Sequence, residues 1–148
     1  MDRDERFMQE ALQEAHKALK AGEVPVGAVL VEGEKMIARG YNKPISSDDP
    51  TAHAEIVAIR EACNVKRNYR LSGCELYVTL EPCAMCLGAV VHARLQRLVF
   101  GALDPKGGAV ESVILFPLEK MNHRVEVKGG ILAGECGKVL KSFFEKKR

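Results

Sequence analysis

The 148-residue chain carries a formal charge of +2, with 47% hydrophobic and 28% charged residues. That balance excludes a disordered tract, does not commit the molecule as a whole to an anionic partner, and leaves no apolar run near the roughly 18 residues that cross a bilayer. Five cysteines, an odd number, behind a charged Met1-Asp2-Arg3-Asp4-Glu5-Arg6 start, argue for reduced thiols in a cytoplasmic protein instead of a disulfide framework.

In chain order, residues 2–21 predict an amphipathic helix, with Phe7, Met8, Ala11, Leu12, Ala15, Ala18 and Leu19 on one stripe and Gly22 as the stop. Pro25 to Val31 and Met36 to Tyr41 predict two strands of a hairpin around the turn Glu32-Gly33-Glu34-Lys35. The two prolines and small polar residues of Asn42 to Pro50 predict a loop. A second helix is expected from Thr51–His53 to about Val65, with Cys63 as a small buried residue. Cys74 to Leu80 predicts a central strand. After Glu81-Pro82 a third helix starts at Cys83 and turns Met85, Leu87, Val90 and Val91 inward. Leu98 to Gly101 predicts a strand parallel to the previous one. Val110 to Leu118 is expected as a short helix, Arg124 to Lys128 as a strand, and Ile131 to Lys146 as the last helix. There is no repeat or linker. Residues 1–148 read as a single α/β domain with a central mixed sheet of about five strands, flanked by helices.

Two short segments carry the chemistry. Thr51-Ala52-His53-Ala54-Glu55 and Glu81-Pro82-Cys83-Ala84-Met85-Cys86 give H-x-E followed by P-C-x-x-C. One imidazole and two thiols make three metal ligands, and softness favours zinc. Three protein ligands leave a position for water, whereas a structural zinc takes four. The two cysteines, three apart at a helix start, present both sulfurs on one side, and a helix N-terminus favours the thiolate. Glu55, two residues past His53, is placed to shuttle protons to and from a water activated by the metal. The competing structural-zinc reading needs a fourth ligand, for which Cys74, His92 and Cys136 are the candidates. A CxxC alone is also compatible with redox chemistry.

At these residues the chain resembles the cytidine/deoxycytidylate deaminase superfamily, and more closely the bacterial tRNA-specific adenosine deaminases. The resemblance covers about residues 5–145. It rests on Glu23 to Val29, Asp49 to Glu55, Asn68-Tyr69-Arg70-Leu71, Leu76 to Cys83, Phe100-Gly101-Ala102, Asp104-Pro105-Lys106 and Met121 to Val125. It implies a three-layer cytidine-deaminase-like fold, a homodimer with one zinc per subunit, and conversion of the wobble adenosine of a tRNA anticodon to inosine. It also implies His53, Cys83 and Cys86 as zinc ligands and Glu55 as the proton shuttle. Asn42 would hydrogen-bond the flipped base or its sugar, the backbone N–H near Ala54 would contact the base and the zinc-bound water, Val26 and Pro44 would help line the pocket, and Asp104 would contact ribose near the flipped nucleotide.

The basic tail offers Lys138, Lys141, Lys146, Lys147 and Arg148 against Glu145 alone. Either it complements the helix dipole or it meets phosphate. The resemblance favours the anticodon stem-loop, with Lys106, Phe143, Phe144, Lys146 and Lys147 as the contacts. The chain departs from the family pattern at Gly108-Ala109-Val110-Glu111-Ser112, where Glu111 replaces a usual glycine, and at the apolar Ile114-Leu115-Phe116. Two other functions fit the metal motif: deamination of a free base or nucleoside of the guanine or cytosine type, and a non-catalytic zinc-stabilised RNA-binding domain. Glu55 speaks against the second, since a structural metal has no use for it.

Overall fold

The computed structural model describes residues 1–147; Arg148 of the basic tail lies outside the described residues. A five-stranded mixed sheet has the order β2-β1-β3-β4-β5. Its strands are β1 (Gly27–Glu32), β2 (Lys35–Tyr41), β3 (Cys74–Leu80), β4 (Arg97–Ala102) and β5 (Glu126–Lys128). The β1–β2 hairpin and the β1–β3 pair are antiparallel, while β3–β4 and β4–β5 are parallel. The helices are α1 (Arg3–Lys20), α2 (Ala54–Lys66), α3 (Ala84–His92) and α4 (Ala133–Lys146). No described helix is long and apolar enough to cross a membrane.

Period-two alternation along the strands divides the core between two faces. Ala28 and Leu30, Leu76 and Val78, and Leu98 and Phe100 pack with Ala54, Ala58, Leu87 and Val90 of α2 and α3. Val29 and Val31, Tyr77 and Val99 pack on the other face with Phe7, Met8 and Ala11 of α1 and with Cys136 and Val139 of α4. The result is three layers. Asp2 caps α1 in a capping box with Glu5. Helix α2 lies so close on β2 that a Cβ on Gly40 would meet the Ala54 carbonyl oxygen and the Ala58 nitrogen at 2.7 Å. That contact fixes the first turn of α2 on the sheet.

Four expectations are corrected. Val110 to Leu118 is not a helix: the chain makes a turn through Ser112, continues without regular structure, and reaches only a short 3-10 turn at Leu118–Lys120. The backbone N–H groups of Val110, Glu111 and Ser112 go to the Glu81 carboxylate instead of to helical partners, and Pro117 blocks continuation. Met85 is 39% exposed. The inward positions of α3 are Cys86, Leu87, Val90 and Val91, and at 100° per residue Met85 falls outside that stripe. Cys63 is half-buried at the edge of the core, because Ala58, Ile59 and Ala62 take the inner positions of α2. Strand β5 is shorter than the alternation suggested; Arg124 and Val125 precede it.

At the end of the sheet away from the C-terminal edge of β3, a charged cluster ties α1 to the strands. The Asp4 carboxylate accepts from Arg97 at 2.7 and 2.8 Å, from Tyr77 Oη at 2.7 Å and from Lys128 Nζ at 3.1 Å. The Arg97 guanidinium, then Tyr77 and Lys128, holds this carboxyl well below its ordinary value of 3.8 against the opposing effect of burial. A carboxyl depressed by folding stabilises the fold above its unfolded pKa, and that contribution disappears as pH falls toward the folded value. Asp4→Asn is therefore expected to cost about 1.5–3 kcal/mol at pH 7. In urea titrations at stepped pH, the gap between wild type and variant should close progressively below about pH 4.

Candidate active site

The C-terminal end of β3 runs into Glu81-Pro82-Cys83, and the N-terminal end of α2 is brought to the same edge of the sheet. His53 is the N-cap of α2 and Cys83 the N-cap of α3. Both have extended backbone, and neither makes a side-chain capping hydrogen bond. N-cap positions usually hold Ser, Thr, Asp or Asn. Here the cap side chains face each other instead. Cys83 Sγ and Cys86 Sγ each lie 3.6 Å from His53 Nδ1.

That spacing tests the donor set. Bonds of about 2.3 Å to sulfur and about 2.0–2.1 Å to nitrogen, at a tetrahedral angle, place S and N about 3.6 Å apart. The three ligand atoms lie within 4.8 Å of one another, so the residues fit a zinc ion bound through Nδ1 and two sulfurs. None of the fourth-ligand candidates joins them among the described residues. Cys74 has its sulfur 4.0 Å from the Ser72 carbonyl oxygen, Cys136 on α4 packs against Gly101 of β4, and His92 is exposed at the end of α3. The fourth side opens on a pocket.

Electrostatics in the group follow from its closeness. Hydrogen bonding from Cys86, then from His53, brings the Cys83 thiol down to about 4. The Cys86 thiol, beside that thiolate and buried, is pushed up. The Cys83 contact raises the His53 imidazole. These protons are the ones a bound metal displaces. Glu55 sits in the first turn of α2, only 4% exposed. Burial pushes its carboxyl up to about 7.

The pocket measures about 170 Å³ and is lined by Val24, Val26, Asn42, His53, Glu55, Leu80, Glu81, Cys83 and Asp104. Drug-sized ligands occupy pockets of about 300–1,000 Å³; this one suits a single planar base. Asn42 follows β2, and its N–H donates to the Val26 carbonyl. Its side-chain Oδ1 accepts from the Ala54 N–H at 2.8 Å, supplying the cap that His53 does not. The Ala54 N–H, expected to face substrate, is thus paired with Asn42, whose Nδ2 is left as a donor at the pocket. Pro44 is not among the lining residues; its carbonyl accepts from Asp49 N–H within the loop.

Sequence reading missed Val24, Leu80 and Glu81 on the pocket wall. It also missed Glu23, 1% exposed, which accepts from the N–H groups of Ile45 and Ser46 and so shapes the loop after Asn42. The one available signal was a carboxylate directly beside the metal motif.

A second cleft, about 340 Å³, shares Val24, Leu80 and Asp104 with the pocket and continues past Leu103, Pro105, Lys106, Leu140 and Phe144. Lys106 Nζ stands 5.3 Å over the Phe144 ring, which is 44% exposed. Phe143 is buried, with its ring edge-on to Phe144 at 5.2 Å and Lys147 Nζ over its outer face at 5.2 Å. Of the two aromatic residues only Phe144 offers an open surface.

Comparison with known proteins places these features in context. The chain matches the family described as MafB19-like deaminase over residues 1–148. It is 52% identical to the tRNA-specific adenosine deaminase of Haemophilus influenzae, over 98% of this chain and 85% of that protein. It is 49% identical to the tRNA-specific adenosine deaminase of Bacillus subtilis, over 100% of this chain and 92% of that one. Its fold is similar, with a TM-score of 0.86 and 48% identity, to a structure solved in a study of A-to-I editing by tRNA:A34 deaminases at the wobble position of transfer RNA, covering 91% of this chain and 99% of that one.

Proposed function

The chain belongs to the MafB19-like deaminase family and to the tRNA-specific adenosine deaminases, and from that membership we propose how its residues act. It deaminates adenosine to inosine at the wobble position of a tRNA anticodon. The work is done by a single zinc-dependent domain spanning residues 1–148, with His53, Cys83 and Cys86 holding one Zn²⁺. The observation that carries this reading is a three-ligand group with a buried carboxyl, Glu55, directly beside it, both on the wall of a pocket sized for one base.

Zinc held there would act as a Lewis acid and make water a nucleophile near neutral pH. Glu55 takes the proton of the attacking water, delivers a proton to the ring nitrogen, and protonates the departing amine. Carbon six gains C=O and loses ammonia, with water the only co-reactant. Its raised pKa suits a group that must both accept and donate near pH 7. Asn42 Nδ2 donates to an acceptor on the base edge, while Oδ1 keeps α2, and so Glu55, in place. Val26 and Leu80 supply apolar wall, and Asp104 at the rim meets the sugar. The base must leave its stack to enter, and the neighbouring nucleotides lie along the second cleft, against Phe144, Lys106 and the cationic end of α4 with Lys146 and Lys147. We further propose a homodimer, for which the exposed apolar run Val113, Ile114 and Leu115 is the best-suited surface; light scattering should give twice the chain mass.

Asn42→Ala removes both the base contact and the cap on α2. It should lower kcat/KM for an anticodon stem-loop about ten- to hundred-fold, as a hydrogen bond to a buried group is worth, and reduce stability by about 0.5–2 kcal/mol. The substrate class is tested by ammonia release from equal concentrations of a wobble-adenosine stem-loop, free guanine and free cytosine. Turnover of the stem-loop alone is expected; turnover of a free base without the stem-loop would replace this reading with a free-base deaminase.

A further inference from the structure

Glu81 is 2% exposed and has no cationic partner among the described residues. Its carboxylate is instead surrounded by five donors, all from one loop. Oε1 accepts from the Asp104 N–H at 3.0 Å and from the Ser112 hydroxyl. Oε2 accepts from the N–H groups of Val110, Glu111 and Ser112 at 3.0, 2.8 and 3.0 Å. Burying an ionised carboxylate is costly unless such partners satisfy it. Here four of the five partners are backbone N–H groups of residues 104–112, which form no regular element. Space around the carboxylate is so tight that a Cβ on Gly108 would lie 2.3 Å from Glu81 Cδ. A further backbone tie to the metal loop is Ala109 N–H to the Pro82 carbonyl, 2.9 Å.

Glu81 also stands two residues before Cys83 and lines the pocket itself, while Asp104 borders both pocket and cleft. We infer that Glu81 is a positioning residue that ties the 104–112 loop to the metal-binding turn and thereby fixes Asp104 at the pocket rim. The inference rests on the deaminase reading for its kinetic consequence, but not for the anchoring itself. This chain's unusual Glu111 contributes only its backbone to the anchor, so the departure from the family pattern leaves the device intact.

Glu81→Gln tests it selectively. A glutamine can place its single oxygen where Oε2 was and keep three N–H bonds. Its NH₂ then faces the Asp104 N–H, which loses its acceptor, while the Ser112 hydroxyl rotates to accept. The expected result is a KM for the stem-loop raised at least about tenfold, kcat changed less than about threefold, and an unchanged ratio of one zinc per chain. Hydrogen exchange should show the Asp104 amide losing protection while the amides of α2 keep theirs. A fall in kcat together with zinc content, with KM unmoved, would assign Glu81 to the metal loop and overturn the inference; so would an unchanged Asp104 amide. If Glu81→Gln does not fold, Ser112→Ala decides by KM and zinc content, with a KM rise of about two- to threefold at unchanged zinc expected and no change in KM contradicting. Should wild type form no inosine, the substrate reading falls by itself and the exchange result still decides the anchoring.

Discussion

Glu55→Ala is expected to retain one zinc per chain and a cooperative fold while kcat for the stem-loop falls by about 10²–10⁴, the usual share of a general acid–base group. The carboxyl is buried, lies outside the three-atom ligand group, and has a pKa brought near neutrality by desolvation. A buried carboxyl kept without a cation costs stability, and active sites tolerate that cost where function needs the group. The melting temperature of the variant should therefore be unchanged or higher. Metal analysis separates the alternatives: loss of zinc would make Glu55 a ligand, and the proton-shuttle role would have to be abandoned.

Cys83→Ala should do the reverse, losing metal first and activity as a consequence. Cys83 is the ligand whose thiol is most strongly held toward thiolate, by Cys86 and His53, and with it gone only two of the three donors remain. A ligand present at 100 to 1,000 times its dissociation constant stabilises by about 2.7–4.1 kcal/mol. For a domain of this size the variant should then melt roughly 5–15 °C lower. Chelation of wild type should bring it down to the same temperature and leave the variant unmoved. The core clusters on the two faces of the sheet include none of the three ligands, so the variant should still fold; equal melting of chelated and loaded wild type would show that the site holds no metal in solution.

What could be read before the structure and what could not divide along physical lines. Helix α1 was legible because one face is buried at helical spacing, and β3 because a short apolar run buried on both faces marks a central strand. The ligand triad was legible because H-x-E followed by P-C-x-x-C is a chemically unusual combination, even though His53 and Cys83 stand thirty residues apart. The 110–118 segment was misread: its apolar residues suggested a helix, while its backbone donors are drawn to Glu81, a side chain some thirty residues away. The same blindness hid Glu23 and Glu81 as pocket builders, since a buried carboxylate satisfied by backbone N–H groups leaves no pattern of side chains. Asn42 was singled out as a substrate contact, but its bond to the Ala54 N–H, which completes the cap of α2, needed coordinates. Phe143 and Phe144 looked equivalent in sequence; the direction of α4 buries one and opens the other.

Reverse-transcription sequencing of an anticodon stem-loop after incubation with the zinc-loaded protein tests the central claim most directly. Wild type should convert the wobble adenosine, and no adenosine of the stem, to a base read as guanosine, and Glu55→Ala should leave it as adenosine. An unconverted wobble adenosine with zinc-loaded wild type, or equal conversion by Glu55→Ala, would contradict the account.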